Sequence, residues 1–136
     1  MRGAVLLALA PLMAVLGGCT AATPPAAWQP PIGPNAVFDQ TPEAAPANRL
    51  IVTDLRLAPG AVGVTHFHPW EEFLYVIEGS ASLEIAGEPP RTLLPGERFV
   101  IPARVVHTPR AGPQGVRAIV VRVHLEGDPV STPVTP

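Results

Sequence analysis

Proline and glycine interrupt this chain so often that they decide its fold class. There are 19 prolines and 12 glycines among 136 residues, about twice the share of an average protein. Each proline inside a helix removes a backbone donor and costs about 3 kcal/mol, which argues against an all-helical bundle. Because 47% of the residues are hydrophobic, wholesale disorder is excluded as well.

The charged and reactive residues exclude several classes of function. A net charge of −2 provides no basic field for a nucleic acid. All nine basic residues are arginines, which excludes an enzyme that forms a Schiff base on lysine. Serine is scarce and no G-x-S-x-G motif occurs, which argues against serine hydrolysis. The single cysteine permits no intrachain disulfide.

The first residues have the organisation of a secretory leader. A basic start at Arg2 precedes an apolar run over 4–16, too short to span a bilayer but of the length of a signal peptide core. The run ends in Leu-Gly-Gly-Cys at residues 16–19, which resembles the lipobox of bacterial lipoproteins. That resemblance implies a signal peptide over 1–18, a lipid on Cys19 and attachment to a cell-envelope membrane on its periplasmic face. The same resemblance implies that Thr20 favours the outer membrane over the inner one. The alternative is an ordinary signal peptide with an incidental cysteine.

A proline- and alanine-rich linker is predicted over 19–47, beginning with the lipidated cysteine. Its prolines follow no helical or strand period, which is typical of an extended tether at about 3.1 Å per residue. Ile32, Val37 and Phe38 are apolar enough to lie along a folded domain.

Short strands are predicted throughout the rest of the chain. Eight apolar or alternating segments are separated by Gly and Pro: residues 48–58, 61–67, 72–78, 81–86, 91–94, 98–101, 105–109 and 116–125. Many short strands at this spacing predict an all-β closed barrel or sandwich over 48–126, followed by a C-terminal tail over 127–136.

Strand alternation assigns the two faces of two of these segments. In the first, Ile51, Thr53, Leu55 and Leu57 share one face. In the third, the alternation predicts one row towards the cavity and one row outwards. The inward row is Glu72, Leu74, Val76 and Glu78, and the outward row is Phe73, Tyr75 and Ile77. The apolar outward row requires cover from the N-terminal region or from a second subunit.

Three histidines and a glutamate have the spacing of a metal site. His66 and His68 project to the same face of a strand, and the short connection after them returns Glu72 to their side. His107 comes from a distant strand. Three imidazoles and a carboxylate suit a divalent first-row metal and leave up to two positions for other ligands.

These residues resemble the two motifs of the cupin family. The first, G-x5-H-x-H-x3-E-x6-G, is matched by Gly60, His66, His68, Glu72 and Gly79. The second, G-x5-P-x-G-x2-H-x3-N, is matched at Gly96, Pro102 and His107, with Arg104 in place of its glycine and Ala111 in place of its asparagine. If φ at Arg104 is positive, that turn is strained by about 1 kcal/mol. The resemblance covers 49–125 and implies a jelly-roll β-barrel (a double-stranded β-helix) with the metal near one mouth, and it favours a homodimer.

The reaction is much less constrained than the site. The ligand set resembles that of quercetinase-like and acireductone-type cupins, which implies a metal-dependent dioxygenase acting on an aromatic or enediol substrate, with Glu72 as a base as well as a ligand. The alternatives are a non-enzymatic periplasmic module that binds a metal or small ligand, and an isomerase or epimerase. Iron, manganese, nickel, copper and zinc all remain open as the metal.

Four further residues are left with two interpretations. His124 matches neither motif and is interpreted as a structural or a surface residue. Arg98 and Arg122 could bind an acidic substrate if they point inwards, although ion pairs with nearby glutamates are favoured. Trp70 either borders the metal site or packs on the barrel rim.

Overall fold

Two facing antiparallel sheets make up the part of the chain that the computed structural model describes, residues 27–85 and 87–134. The strands are β1 (Gly33–Gln40), β2 (Asn48–Leu57), β3 (His66–Phe67), β4 (Glu72–Ile85), β5 (Arg91–Leu93), β6 (Arg98–Ile101), β7 (His107–Leu125) and β8 (Thr132–Pro133). Among these residues no helix is long and apolar enough to cross a membrane.

The long strands β4 and β7 each contribute to both sheets. The first half of β4 pairs with the second half of β7, Glu72 lying opposite Arg122, and the second half of β4 pairs with the first half of β7, Ile85 lying opposite His107. The first sheet therefore has the order β1-β2-β7-β4-β6, and the second has the order β8-β3-β7-β4-β5. This is a double-stranded β-helix, and the predicted all-β jelly roll is confirmed.

Glycine is required where β4 passes from one sheet to the other. Gly79 has a φ of +71° and Gly115, opposite the crossing, has a φ of +83°. A Cβ at Gly79 would overlap the carbonyl of Gly115, so the backbones approach more closely than a side chain permits. The register of β4 against β7 shifts on both sides of Gly79.

The core lies between the sheets and is apolar. Its buried members come from β4 to β7 and are Leu74, Val76, Ala81, Leu83, Leu93, Ile101, Ala111, Val116, Ala118 and Val120. Strand alternation predicts the first part of β4 correctly, since Glu72, Leu74 and Val76 are buried whereas Phe73 and Tyr75 are exposed.

Glu78 does not follow that alternation, and the prediction that it faces the cavity is wrong. The register shifts between Val76 and Glu78, and a bulge of this kind turns the following side chain to the other face. Glu78 is exposed, where it accepts a hydrogen bond from Gln29 and lies 3.5 Å from Arg117.

Other elements differ from the sequence prediction. β1 lies inside the segment predicted to be an extended tether, because it hydrogen-bonds along β2 without needing an apolar face of its own. Segments 72–78 and 81–86 join into β4, and 105–109 and 116–125 join into β7. The segment 61–67 has only an isolated bridge at Val62 besides β3. The predicted signal peptide, Cys19 and Thr20 lie outside the described residues.

Candidate metal centre

The four predicted ligands come together at one mouth of the barrel. His66 lies on β3 directly opposite His107, the first residue of β7. The chain turns after His68 and enters β4 at Glu72. One donor atom from each of the four residues lies within 4.8 Å of the others.

Backbone carbonyls orient all three imidazoles in the same way. A carbonyl can only accept, so each Nδ1 carries the proton, and Nε2 is left as the donor to a metal. The carbonyl partners are Val64 for His66 at 2.7 Å, Val130 for His68 at 2.5 Å and Val105 for His107 at 3.0 Å.

The donor atoms fit a divalent metal. Nε2 of His68 lies 3.0 Å from Nε2 of His66 and 2.8 Å from Oε2 of Glu72. Adjacent ligands bound at about 2.1 Å to one ion lie about 3 Å apart, so both spacings agree with a shared ion. Nε2 of His107 is buried without a hydrogen-bond partner among the described residues, and a metal would satisfy it.

The electrostatics of the site keep Glu72 and His107 in the protonation state that binds a metal. Burial alone would raise the pKa of Glu72, but the adjacent His68 imidazole and the charge of Arg122 outweigh it and lower that pKa to about 2. Burial lowers the pKa of His107, which keeps its Nε2 lone pair free. At neutral pH the site therefore presents a carboxylate and an unprotonated His107. A role for Glu72 as a base stays a prediction.

Arg122 lies beside this cluster. It follows the inward alternation of β7, and its Nε donates to Oε2 of Glu72 over 2.7 Å. Arg98 is exposed at the start of β6. Of the two arginines that sequence alone left open, Arg122 forms the expected ion pair and also borders the site, whereas Arg98 forms no ion pair with a described residue.

A cavity of about 330 Å³ borders the cluster on the side of His66 and His68. Its lining is mixed, with His66, His68, Arg122, Asp39, Thr53 and Ser131 as polar members and Pro34, Ala36, Ile51 and Val130 as apolar ones. Asp39 is paired with Arg49 at 2.5 Å. The cavity volume is in the range of small-molecule sites.

Two neighbours of the site were missed by sequence reasoning. His124 is completely buried, with its ring 6.3 Å from that of His68, and neither of its ring nitrogens has a hydrogen-bond partner in the described chain. Continuing the alternation from Val120 through Arg122 would have placed it inwards. The second is Val130, whose backbone carbonyl orients His68. No sequence pattern could indicate this contact, because it is made by a backbone atom in the segment predicted to be a tail.

Trp70 connects the same tail to the metal-binding turn. Its Nε1 donates to Oδ2 of Asp128 over 2.7 Å, and the ring is 38% exposed. Trp70 therefore lies on the barrel rim, tied to the segment that carries Val130.

A double-stranded β-helix with three imidazoles and a carboxylate at one mouth defines a class: a small β-barrel protein with a candidate divalent-metal centre. The family model described as "Cupin domain" matches residues 53–122, about half of the chain. The chain belongs to the cupin family. No curated protein matches its sequence.

Solved structures share this fold at low sequence identity. A cupin-like protein from Thermotoga maritima is 24% identical with a TM-score of 0.53, over 65% of each chain. Oxalate decarboxylase from Bacillus subtilis is 24% identical with a TM-score of 0.60, over 77% of this chain and 30% of that one. The DMSP lyase DddQ from Ruegeria pomeroyi is 22% identical with a TM-score of 0.58, over 76% of this chain and 53% of that one. The present chain thus spans less than two thirds of the length of each of these proteins.

Proposed function

We propose that this protein is a metal-dependent enzyme of dioxygenase type that acts on a small aromatic or enediol molecule. The observation that carries the proposal is the convergence of three oriented Nε2 atoms and one carboxylate on one point, where His66 and His68 also line a cavity of about 330 Å³. Four protein ligands leave up to two positions of an octahedral ion for substrate and dioxygen.

A bound metal would supply Lewis-acid chemistry, and, if it is redox-active, one-electron chemistry with dioxygen. The chain supplies position and environment. Arg122 holds the Glu72 carboxylate in place, and the carbonyls of Val64, Val105 and Val130 fix the imidazoles. Ile51 and Val130 form part of the apolar wall, which limits the access of water to a bound substrate.

A binding module without catalysis is the second candidate, and one observation favours it. Apart from the histidine ligands, the titratable groups that line the cavity are Arg122 and Asp39, and both are ion-paired. That leaves no free acid–base pair beside the ligands. The names of the structural neighbours, a decarboxylase and a lyase, do not decide between these candidates because one fold hosts unrelated chemistries.

An isomerase or epimerase is supported least. Such a reaction requires further proton-transferring groups in the cavity. The chain has no lysine, and its one tyrosine, Tyr75, is exposed on the outer face of the first sheet.

Dioxygen uptake separates the two leading candidates. Protein loaded in turn with iron, manganese, nickel, copper or zinc is supplied with a panel of catechols, flavonols and hydroxybenzoic acids in an oxygen electrode. The enzyme proposal predicts uptake with at least one redox-active metal and none in the double variant His66→Ala, His107→Ala. Tight metal binding without uptake on any panel member would favour the binding module.

The cell-envelope location is a separate proposal that depends on the lipobox resemblance. We infer that Cys19 carries the lipid and that the barrel faces the periplasm, with the outer membrane favoured by Thr20. Labelled palmitate should be incorporated by the wild type and not by Cys19→Ser. Equal labelling of both would contradict the assignment.

A further inference from the structure

We propose that Arg122 is the anion-binding residue of the cavity and that the substrate carries a carboxylate beside the oxygen that binds the metal. The inference rests on the proposed metal function and narrows its substrate class. It predicts preference for a small acid with a hydroxyl or carbonyl oxygen next to the carboxylate over a neutral diol.

Among the described residues, a single hydrogen bond holds the guanidinium of Arg122 in place. Nε of Arg122 donates to Glu72, whereas its two terminal nitrogens make no hydrogen bond to any described residue. The side chain is 14% exposed and lines the cavity together with His66 and His68. A guanidinium with free terminal N–H groups can bind a carboxylate through two parallel hydrogen bonds.

Arg122 and the metal ligands are within reach of one small molecule. Oε2 of Glu72 is shared between them, lying 2.7 Å from Nε of Arg122 and 2.8 Å from Nε2 of His68. A ligand that binds an ion at this cluster through one oxygen would bring an adjacent carboxylate towards the guanidinium. The cavity is bordered there by Thr53, a further hydroxyl group.

The charges of the site favour an anion. A divalent ion, the Glu72 carboxylate and Arg122 together carry a formal charge of about +2, with neutral imidazoles as the remaining ligands. Asp39 also lines the cavity, but Arg49 neutralises it. An acid of one or two negative charges would therefore offset the charge that metal binding introduces.

Calorimetric titration with two matched chelators tests the proposal. Salicylate has a carboxylate beside a hydroxyl, and catechol has two hydroxyls, so they differ in the group offered to Arg122. Zinc-loaded protein is used because zinc is redox-inert. Metal content is measured for the wild type, Arg122→Gln, Arg122→Lys and the control Arg98→Gln, whose arginine is exposed on β6.

The expected result is specific to the acid. Arg122→Gln should bind salicylate about tenfold or more weakly, because charge-assisted paired hydrogen bonds are strong, and its catechol binding should weaken by clearly less than its salicylate binding. Arg122→Lys should show an intermediate loss, since it keeps the charge without the planar fork. Arg98→Gln should bind both ligands like the wild type.

Unchanged salicylate binding in Arg122→Gln, or equal weakening of both ligands, would overturn the inference. If Arg122→Gln loses zinc, salicylate binding is compared between the wild type and Arg122→Lys instead. Full zinc content with unchanged salicylate binding in Arg122→Lys would overturn the inference. If the wild type takes up no metal, the proposed function fails. Benzoate titration of the metal-free protein then decides the anion site: binding in the wild type and none in Arg122→Gln supports it, and equal binding overturns it.

Discussion

Arg104 occupies a turn position whose left-handed backbone conformation favours glycine. Its φ of +63° is the one positive value outside glycine in the described chain, and its amide donates to the carbonyl of His68 over 2.8 Å. The turn is therefore fixed against the metal-binding segment at the expense of strain. The strain that the motif departure implied is confirmed by this angle.

Replacing Arg104 with glycine should stabilise the protein. A left-handed conformation costs a residue with a Cβ about 1 kcal/mol, so Arg104→Gly should raise the free energy of unfolding in urea by about that amount. Arg98→Gly, in the exposed strand position of β6, is the control and should lower it, because glycine weakens a strand. A destabilised Arg104→Gly would show that the side chain contributes more than the turn costs.

Buried histidines make the stability of the metal-free protein depend on pH. Burial lowers the pKa of both His107 and His124, so below the ordinary histidine value of about 6.5 the unfolded chain binds more protons than the folded one. Stability should therefore fall as the pH decreases from 8 to 5.5. The lowered pKa of Glu72, about 2, adds a further loss as the pH falls from about 4.5 towards that value.

Urea unfolding of chelator-treated protein at pH 8 and 5.5 measures this dependence. Each histidine can contribute at most about 1.4 kcal/mol over this range, the limit for a group that never protonates in the folded state. His124→Leu should flatten the dependence. It should also raise stability at pH 8, because it removes two buried ring nitrogens that have no hydrogen-bond partner among the described residues. An unchanged slope in His124→Leu would mean that His124 protonates freely in the folded state.

At the scale of the strands, the crossing of β4 between the sheets decides whether the barrel closes. Gly79 and Gly115 meet there backbone to backbone. Without this contact the two halves of β4 could not pair with opposite halves of β7, and Glu72 at one end of β4 would lose its place beside His68.

Gly79→Ala should be far more damaging than a glycine substitution with the same backbone angle and open space. Gly60 has a φ of +67°, and no atom of the described residues lies within 4 Å of an added Cβ. Gly79, at +71°, would place its Cβ against the Gly115 carbonyl. Gly60→Ala should cost about 1 kcal/mol of strain, and Gly79→Ala about 3 kcal/mol or more through added overlap. Equal losses in urea unfolding would contradict the close approach.

Whether an element could be predicted from the sequence depends on how far apart in the sequence its interacting residues lie. Motif spacing assembles His66, His68, Glu72 and His107 because local strand geometry controls three of them and the fourth lies at a recognisable turn. β1 and β8 could not be predicted, since each is held by pairing with a distant strand. The bulge that exposes Glu78 likewise depends on the partner strand β7. The sequence indicates that Arg122 either binds a substrate or pairs with a glutamate, but only the register of β7 against β4 places it beside Glu72.

At the scale of the whole molecule, the described chain exposes an apolar surface that could bind a partner. The outer face of the first sheet carries Phe73, Tyr75 and Val100, which are 44%, 49% and 46% exposed. With Ile119 and Val121 they line a groove of about 410 Å³. A second copy of the chain on this face would bury it, and we propose a homodimer.

Light scattering on a chain that begins at Thr20 tests the homodimer. The wild type should have the mass of two chains, and Tyr75→Glu should have the mass of one, because a buried unpaired carboxylate is costly. Val62→Glu, at an apolar residue 54% exposed outside this groove, should remain dimeric. A monomeric wild type would contradict the proposal.

The metal content of the purified protein tests the central claim most directly. Protein prepared without chelators and analysed by elemental mass spectrometry should contain about one divalent transition metal per chain, held by the four oriented donors. The double variant His66→Ala, His107→Ala should contain no metal while keeping a β-rich circular dichroism spectrum. His124→Ala is the control: it alters a histidine outside the donor cluster and should keep its metal. A metal-free wild type, or full metal content in the double variant, would contradict the metal centre.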